Sequence, residues 1–227
     1  MYPVRRGKRN GLDLWTIMLL ADLFDRISRM EHKPPVTLVI VAANFLLFYV
    51  PTVLISCGLY YVSEFCLLPA AILSRPFTTE TLTRIFLSAF THADAMHLYY
   101  NMSSFLYKGY PLEQRFGSER FAKLVVFVTV GAGVMYVLAT ALFPDALGTL
   151  HGCCVGFSGV VFALKTILNA YSDGVDYMYG FTVPTKYAAW AELLLIHVMV
   201  PHTSFLGHLC GILVGMGALP LLRKGVL

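Results

Sequence analysis

The chain has 227 residues, of which 57% are hydrophobic and 13% are charged, whereas roughly 25% of an average soluble domain is charged. This composition excludes a disordered chain and disfavours a water-soluble fold. The length is that of one domain, and the apolar residues lie in runs of about 20, which is the length that a helix needs to cross a bilayer. The sequence therefore predicts a single polytopic membrane domain.

The N-terminal segment, residues 1–33, is basic and contains a short apolar run at residues 14–21. That run is too short to span a bilayer, and polar residues after it cluster on one helical face, so we predict an amphipathic interfacial helix over residues 12–29. A cleaved signal peptide is one rival interpretation, although no A-x-A-like cleavage site follows. A mitochondrial presequence is another, although acids such as Asp13 and Asp22 are untypical of one.

Six later segments are candidates for membrane-spanning helices. Three are long and nearly free of charge: residues 36–55, 121–143 and 204–222. Three weaker ones carry polar side chains and are expected to face the bundle interior or a water-filled cavity: residues 95–110, 155–171 and 187–200. The predicted fold is an all-α membrane protein, with a six-helix bundle in residues 34–222 and a short tail at residues 223–227.

The distribution of Lys and Arg supports the six spans independently, because cytoplasmic loops collect basic residues. With the N-terminus inside, the outer loops hold only Arg75 and Arg84. The inner segments hold most of the 17 basic residues: Arg5, Arg6, Lys8, Arg9, Arg26, Arg29, Lys33, Lys108, Arg115, Arg120, Lys123, Lys186, Arg223 and Lys224. Both termini are therefore predicted on the cytoplasmic face, and the net charge of +4 reflects topology rather than binding to nucleic acid.

A long outer segment, residues 57–94, connects the first two spans. Loops of that length in compact domains are usually functional. The five cysteines form no CxxC pair and no zinc-ligand spacing, so neither a metal nor a cofactor is predicted. Cys57 and Cys66 could pair in an oxidising lumen, but free buried thiols are the favoured interpretation.

Three residues whose side chains could take part in a reaction fall at similar depth in this topology. The second, fourth and sixth spans all run from outside to inside, and His97, Ser158 and His208 each lie near the start of one of them. Ser158 lies in the motif Gly-Phe-Ser-Gly, whose glycines permit a tight turn into a helix. A nucleophile at a helix N-terminus suits oxyanion chemistry, although small residues in a membrane helix equally serve packing.

The neighbours of these residues favour a hydrolytic site. Glycines at positions 207, 211 and 215 form a ridge beside His208 that lets another helix approach closely. His208 could be a core histidine that is hydrogen-bonded to a carbonyl. Because Ser158 lies at matching depth, we predict instead that His208 is the general base of a Ser-His dyad. His97 and Asn101 share one helix face and either tie helices together or, as we predict, donate hydrogen bonds to an oxyanion.

The predicted spans lack the residues that zinc and paired-aspartate proteases require. Glu192 is the only acid within a span and forms no HExxH motif with His197, which disfavours a zinc protease. No span carries an aspartate, so a paired-aspartate mechanism is not predicted. No acid is placed to complete a triad with Ser158 and His208, so a dyad is predicted. Lys165 is interpreted as a structural partner of Glu192 or a contact with the inner interface. Outer-loop histidines are interpreted as hydrated side chains without a role: His92, His151 and His202.

Together these motifs resemble the rhomboid intramembrane serine proteases, over residues 34–222. The motifs that carry the resemblance occur in this order: His97-Leu-Tyr-Tyr-Asn101, Glu113-Gln-Arg115-Phe-Gly117, Gly156-Phe-Ser158-Gly159 and Gly207-His208-Leu-Cys-Gly211. Residues 34–37, 155–165 and 191–214 are similar to one branch of that family, which has animal and plant members. Relatives in that branch often carry a C-terminal extension with partner-binding motifs. Those partners are not expected here, because the sequence ends at Leu227.

The resemblance implies an intramembrane serine endopeptidase. Ser158 would be its nucleophile and His208 its base, with His97, Asn101 and the Ser158 backbone N–H around the oxyanion. It also implies an outer segment, residues 58–94, embedded beside the site, and transmembrane protein substrates that reach the site laterally from the lipid bilayer. For the animal branch it implies the endoplasmic reticulum, while another organelle membrane stays open for the plant members.

Two other functions compete with a protease. The first is a non-catalytic relative that binds unstable membrane helices and passes them to degradation or transport machinery. The second is a small transporter whose intramembrane polar residues line a path for ions or solutes. The presence of both Ser158 and His208 favours the protease.

Overall fold

The computed structural model of the chain describes residues 14–50, 65–144, 149–178, 180–200 and 203–227. The described part is mostly helical, as the sequence predicts. Its helices in chain order are α1 (Leu14–Ser28), α2 (Pro35–Tyr49), α3 (Pro69–Ser74), α4 (Thr79–Leu87), α5 (Ala95–Phe116), α6 (Ser118–Leu142), α7 (Ser158–Ala170), α8 (Ala188–Met199) and α9 (Phe205–Arg223). Two 3₁₀ turns, Ser88–Phe90 and Thr185–Tyr187, lie before α5 and α8.

Each of the six predicted spans contains one of these helices. By length and composition, α6 and α9 are the two described helices that could cross a membrane, with 25 and 19 residues. Helices α2 and α7 are also apolar but have only 15 and 13 residues. The predicted end of the first span, residues 51–55, lies outside the described residues.

Helix α1 forms where an amphipathic helix is predicted, and it docks on α5. The Tyr99 hydroxyl of α5 donates a 2.6 Å hydrogen bond to Asp22 of α1. Arg26, one helical turn after Asp22, lies 2.7 Å from the same carboxylate. The hydrogen bond from Arg26, followed by that from Tyr99, holds the pKa of Asp22 below its usual range. The helix is thus attached to the bundle by these polar contacts together with Leu23, which is buried in the hydrophobic core.

An unpredicted β-hairpin connects α7 to α8, so the all-α prediction is wrong at this point. Strands β1 (Val175–Met178) and β2 (Phe181–Pro184) are antiparallel, with Met178 opposite Phe181. Gly180 in the turn has φ +92°, a conformation that favours glycine. The apolar–polar pattern of the segment is too short to reveal strands, which is why the hairpin was missed.

Two partly buried ion pairs link α7 to the hairpin and α5 to α8. Lys165 of α7 lies 2.7 Å from Asp176 of the hairpin. Glu192 of α8 instead faces Lys108 of α5, at 3.4 Å. The predicted contact between Lys165 and Glu192 is therefore wrong, because the unpredicted hairpin brings a nearer carboxylate to Lys165.

Helices α7 and α9 pack with their backbones in close contact. A Cβ atom added at Gly215 of α9 would lie 2.6 Å from the carbonyl oxygen of Ala163 in α7. One added at Gly211 would collide with the carbonyl oxygen of Gly159. The predicted glycine ridge is confirmed, and it brings the N-terminal turns of α7 and α9 together.

A disulfide and a β-bridge attach the outer segment to the chain just before α7. Cys66 is bonded to Cys153, with Cα atoms 5.4 Å apart. The next residues, Leu67 and Cys154, exchange two backbone hydrogen bonds of 2.9 and 3.1 Å. The preference for free thiols is thus wrong for Cys66, and its other candidate partner, Cys57, lies outside the described residues. The remaining described cysteines are free thiols: Cys154 and Cys210.

Candidate active site

Ser158 is the first residue of α7 and is half-buried. Gly156, two residues earlier, has φ +115°, so the chain can turn sharply into the helix only because this residue has no Cβ. The first N–H groups of a helix have no intrahelical acceptor and carry the positive end of the helix dipole. The sequence thus places the Ser158 hydroxyl among backbone groups that favour negative charge.

His208 lies in the first turn of α9 and meets Ser158 directly. Its Nε2 atom is 2.9 Å from the Ser158 Oγ atom, which is hydrogen-bonding distance. The imidazole ring is buried and stacks on Phe162 of α7, with ring centroids 4.6 Å apart. The hydrogen-bonded Ser-His pair that the sequence predicts is present in the structure.

Among the described residues, no carboxylate pairs with Nδ1, the second ring nitrogen of His208. Its Nδ1 atom is buried and makes no hydrogen bond to any residue that the structure describes. When Nε2 accepts the Ser158 proton, Nδ1 is the nitrogen that keeps its own proton. Stacking on Phe162 and burial therefore hold the ring, and the described residues form a dyad rather than a triad.

His97 and Asn101 surround the turn that precedes Ser158. A Cβ atom at Gly156 would lie 2.7 Å from His97 Nε2 and 3.8 Å from Asn101 Nδ2. The Ala93 backbone N–H donates to His97 Nδ1 at 3.5 Å, so the neutral ring carries its proton on Nε2, toward the turn. Asn101 donates one amide hydrogen to the His97 carbonyl at 2.8 Å and keeps a second donor. All four predicted site residues lie in one region.

His92 is buried beside this site and only 3% exposed, so its interpretation as a hydrated loop side chain is wrong. The Phe157 backbone N–H donates to its Nε2 atom at 3.5 Å, and its ring lies 5.1 Å from the His97 ring. Burial, assisted by the charge that His97 can carry, lowers the pKa of His92 to about 3. Its position two residues before the N-cap of α5, Asp94, indicated only a hydrated loop.

The described residues also bear on a metal site and on the two other histidines of the predicted outer loops. Among the described residues, no group of three or more His, Cys, Asp or Glu side chains could hold a metal ion. Of the two remaining outer histidines, His151 is exposed and His202 lies outside the described residues.

The chain belongs to the rhomboid family, because the rhomboid domain matches residues 79–225. It is 41% identical over 214 residues to Rhomboid-like protein 14, mitochondrial, of Arabidopsis thaliana, with 92% of this chain and 62% of that protein covered. It is 40% identical to Rhomboid-related protein 4 of Homo sapiens, with 92% and 64% covered. These similarities confirm both the family and the branch that the sequence motifs indicate.

One more distant relative is named as an enzyme. Rhomboid-type serine protease 2 of Eremothecium gossypii is 26% identical over 140 residues, which cover 61% of this chain and 51% of that protein. The chain spans somewhat under two thirds of the length of the first two relatives. More than a third of the length of those two proteins therefore lies outside the match.

Proposed function

We propose that the protein is an intramembrane serine endopeptidase that cleaves transmembrane protein substrates with Ser158 and His208. The observation that carries this proposal is the 2.9 Å hydrogen bond between Ser158 Oγ and His208 Nε2, at the start of α7. A serine hydroxyl is a weak nucleophile until an adjacent base accepts its proton. Membership of the rhomboid family and the named protease among its relatives support the same function.

In the proposed reaction, a locally unwound substrate helix offers a peptide carbonyl to Ser158. His208 accepts the hydroxyl proton as Oγ attacks, and then gives it to the leaving amine as the C–N bond breaks. Water hydrolyses the resulting acyl-enzyme by the same two steps, with His208 again accepting and returning a proton. The polar residues of the site would line a hydrated cavity open to the outer face.

The oxyanion formed by this attack needs hydrogen-bond donors. His97 Nε2–H, the second amide hydrogen of Asn101 and the Ser158 backbone N–H are proposed to supply them. The approach of His97 and Asn101 to the Gly156 turn supports this assignment. Donors fixed before the reaction stabilise the developing charge without reorganisation.

We propose six membrane spans within residues 34–222, with both termini on the cytoplasmic face and α1 in the membrane interface. The six helices at the predicted positions and the basic inner segments support this topology. Exposed apolar side chains of α1 support its contact with lipid: Leu14, Ile17, Met18 and Phe24. Residues 1–33 and 223–227 would then flank the membrane domain.

The membrane that we propose is that of the endoplasmic reticulum. The Cys66–Cys153 disulfide lies on the proposed outer side, and disulfides persist in oxidising compartments such as the lumen. The name of the Arabidopsis relative assigns that protein to mitochondria. Fluorescence microscopy of the tagged chain against markers of both organelles tests the choice, and co-localisation with the mitochondrial marker contradicts it.

The decisive test incubates the purified protein in detergent with a panel of single-pass membrane substrates. Wild type is expected to give cleavage products, whereas Ser158→Ala and His208→Ala give none, because one lacks the nucleophile and the other its base. A serine-reactive fluorophosphonate should label wild type and not Ser158→Ala. A folded wild type that is neither labelled nor active would instead indicate a helix-binding relative, and solute flux in vesicles that survives Ser158→Ala would indicate a transporter.

A further inference from the structure

We infer that His92 is a positioning residue of this active site. Its side chain holds the turn before Ser158 and the His97 ring in the mutual arrangement that the oxyanion requires. The inference rests on the proposed function, and it assigns a role to a buried side chain that the dyad and the oxyanion donors leave unused. His92 touches neither Ser158 nor His208 in the described contacts, so it is not itself a catalytic residue.

Residues of the outer segment hold the backbone that leads into α7. This backbone is attached to the outer segment at successive residues, since the Gly156 N–H donates to the Ser88 carbonyl at 3.0 Å. The Phe157 N–H, one residue before the nucleophile, donates to His92 Nε2 at 3.5 Å. Because this N–H lies at a helix start, it has no intrahelical acceptor. His92 thus fixes the peptide plane immediately preceding the one that carries the Ser158 N–H.

His92 and its neighbour Ala93 also contact the His97 ring. The His92 ring packs edge-on against the His97 ring, at an interplanar angle of 70° and a centroid distance of 5.1 Å. The residue next to His92, Ala93, directs its backbone N–H at His97 Nδ1. These two contacts keep the His97 ring from rotating and leave its Nε2–H toward Gly156. One short stretch, residues 92–93, therefore orients both an oxyanion donor and the nucleophile's turn.

The chemical state of His92 suits this role. An Nε2 atom that accepts from Phe157 leaves the proton of the neutral ring on Nδ1. The low pKa that burial gives His92 keeps the ring neutral at physiological pH, so the acceptor is always present. A protonated ring would lose that acceptor and repel a charged His97.

Two variants separate the hydrogen bond from the packing. His92→Phe keeps a ring against His97 but cannot accept from Phe157, whereas His92→Gln places an acceptor oxygen near the former Nε2 position. His92→Phe is expected to lower kcat by roughly 10- to 100-fold with KM nearly unchanged, since small misplacements of reacting groups have effects of that size. His92→Gln should recover most of the loss. The exposed His151→Phe serves as the matched control and should behave as wild type.

The readouts distinguish positioning from a purely structural role. Fluorophosphonate labelling of Ser158 is measured per folded molecule, and the ring nitrogens of His97 are observed by ¹⁵N NMR. His92→Phe is expected to slow labelling and to alter the His97 tautomer or its exchange. A His92→Phe protein that is merely less stable, with kcat per folded molecule and His97 signals unchanged, overturns the inference.

A failure of the proposed function gives a different pattern. In that case the folded wild type shows neither cleavage nor labelling, while the His97 signals still report whether His92 orients the ring. Unchanged His97 signals in His92→Phe then overturn the positioning role as well, and changed signals support it independently of catalysis. Rescue by His92→Gln is read in the same spectra.

Discussion

Ser158 and His208 are 50 positions apart in the sequence, and they meet because each stands in the first turn of its helix. Hydrogen-bond caps fix the turns that carry the site: Asp94 accepts from the His97 N–H at 2.8 Å, and Ser204 accepts from the Gly207 N–H at 3.0 Å. No carboxylate among the described residues supports the imidazolium that His208 would form. In the proposed mechanism, more of the transition-state stabilisation would therefore come from donors to the oxyanion.

The variant Asn101→Ala tests whether Asn101 donates a hydrogen bond to the oxyanion. It should lower kcat by about 10²- to 10³-fold, because it removes one donor to the developing charge, and leave KM close to the wild-type value. Steady-state cleavage of a single-pass substrate in detergent measures both constants. Asn169→Ala is the control, since Asn169 is also buried but lies 11 positions after Ser158 on α7, about 16 Å along the helix. A kcat within threefold of wild type for Asn101→Ala would exclude its oxyanion role.

At the scale of secondary-structure elements, the pairing of α7 with α9 sets the distance between nucleophile and base. In the proposed bilayer, two apolar helices would gain little from exclusion of water, so close backbone packing would hold them together. Glycines provide that packing here, and the two residues of the dyad lie at the same end of the contact. A change that separates the helices should therefore also separate Ser158 from His208.

Gly211→Ala is expected to produce this separation. Its new methyl group meets the backbone carbonyl of Gly159, which cannot move aside as a flexible side chain could. We expect the free energy of unfolding to fall by about 1–3 kcal/mol, and kcat to fall by up to roughly 10²-fold. Thermal unfolding and cleavage assays measure the two effects.

Gly217→Ala provides the matched control on the same helix. A Cβ atom there meets nothing within 4 Å, so activity and stability should be retained. Equal behaviour of Gly211→Ala and Gly217→Ala would show that the α7–α9 distance does not depend on the absence of a side chain at Gly211.

At the scale of the whole molecule, the outer segment and the helical bundle act as one unit. The Cys66–Cys153 disulfide closes a loop of 87 residues and ends five positions before the nucleophile. The adjacent bridge between Leu67 and Cys154 and the contact of His92 with Phe157 continue the attachment toward Ser158. The outer segment therefore belongs to the structure that supports the site and is more than a connection between two helices.

Loss of this disulfide should destabilise the protein. The double variant Cys66→Ser/Cys153→Ser is expected to lose roughly 2–5 kcal/mol of stability, because the unfolded chain is released from a long closed loop. Thermal unfolding with and without a reductant measures the effect, and a reductant should lower the Tm of wild type but not of the double variant. Alkylation of Cys66 and Cys153 in the native, unreduced protein would contradict the bond itself.

The sequence by itself determined the parts of this protein that depend on local chemistry and periodicity. Apolar segment length indicated where helices α2 and α5 to α9 lie, and the clustered charges indicated an N-terminal amphipathic helix. Glycine spacing predicted the α7–α9 contact, since only small residues permit such an approach. The candidate residues Ser158, His208, His97 and Asn101 could be selected because their chemical types and depths agree.

Only the tertiary structure decided the features that depend on which distant residues become neighbours. Lys165 pairs with Asp176 because a four-residue strand, too short to leave a periodic signal, returns beside α7. Cys66 finds Cys153, and His92 becomes a buried neighbour of Phe157, because the outer segment folds back on the entrance to α7. Neither spacing nor hydropathy encodes these meetings, since each is set by the packing of the complete chain and not by the properties of either partner.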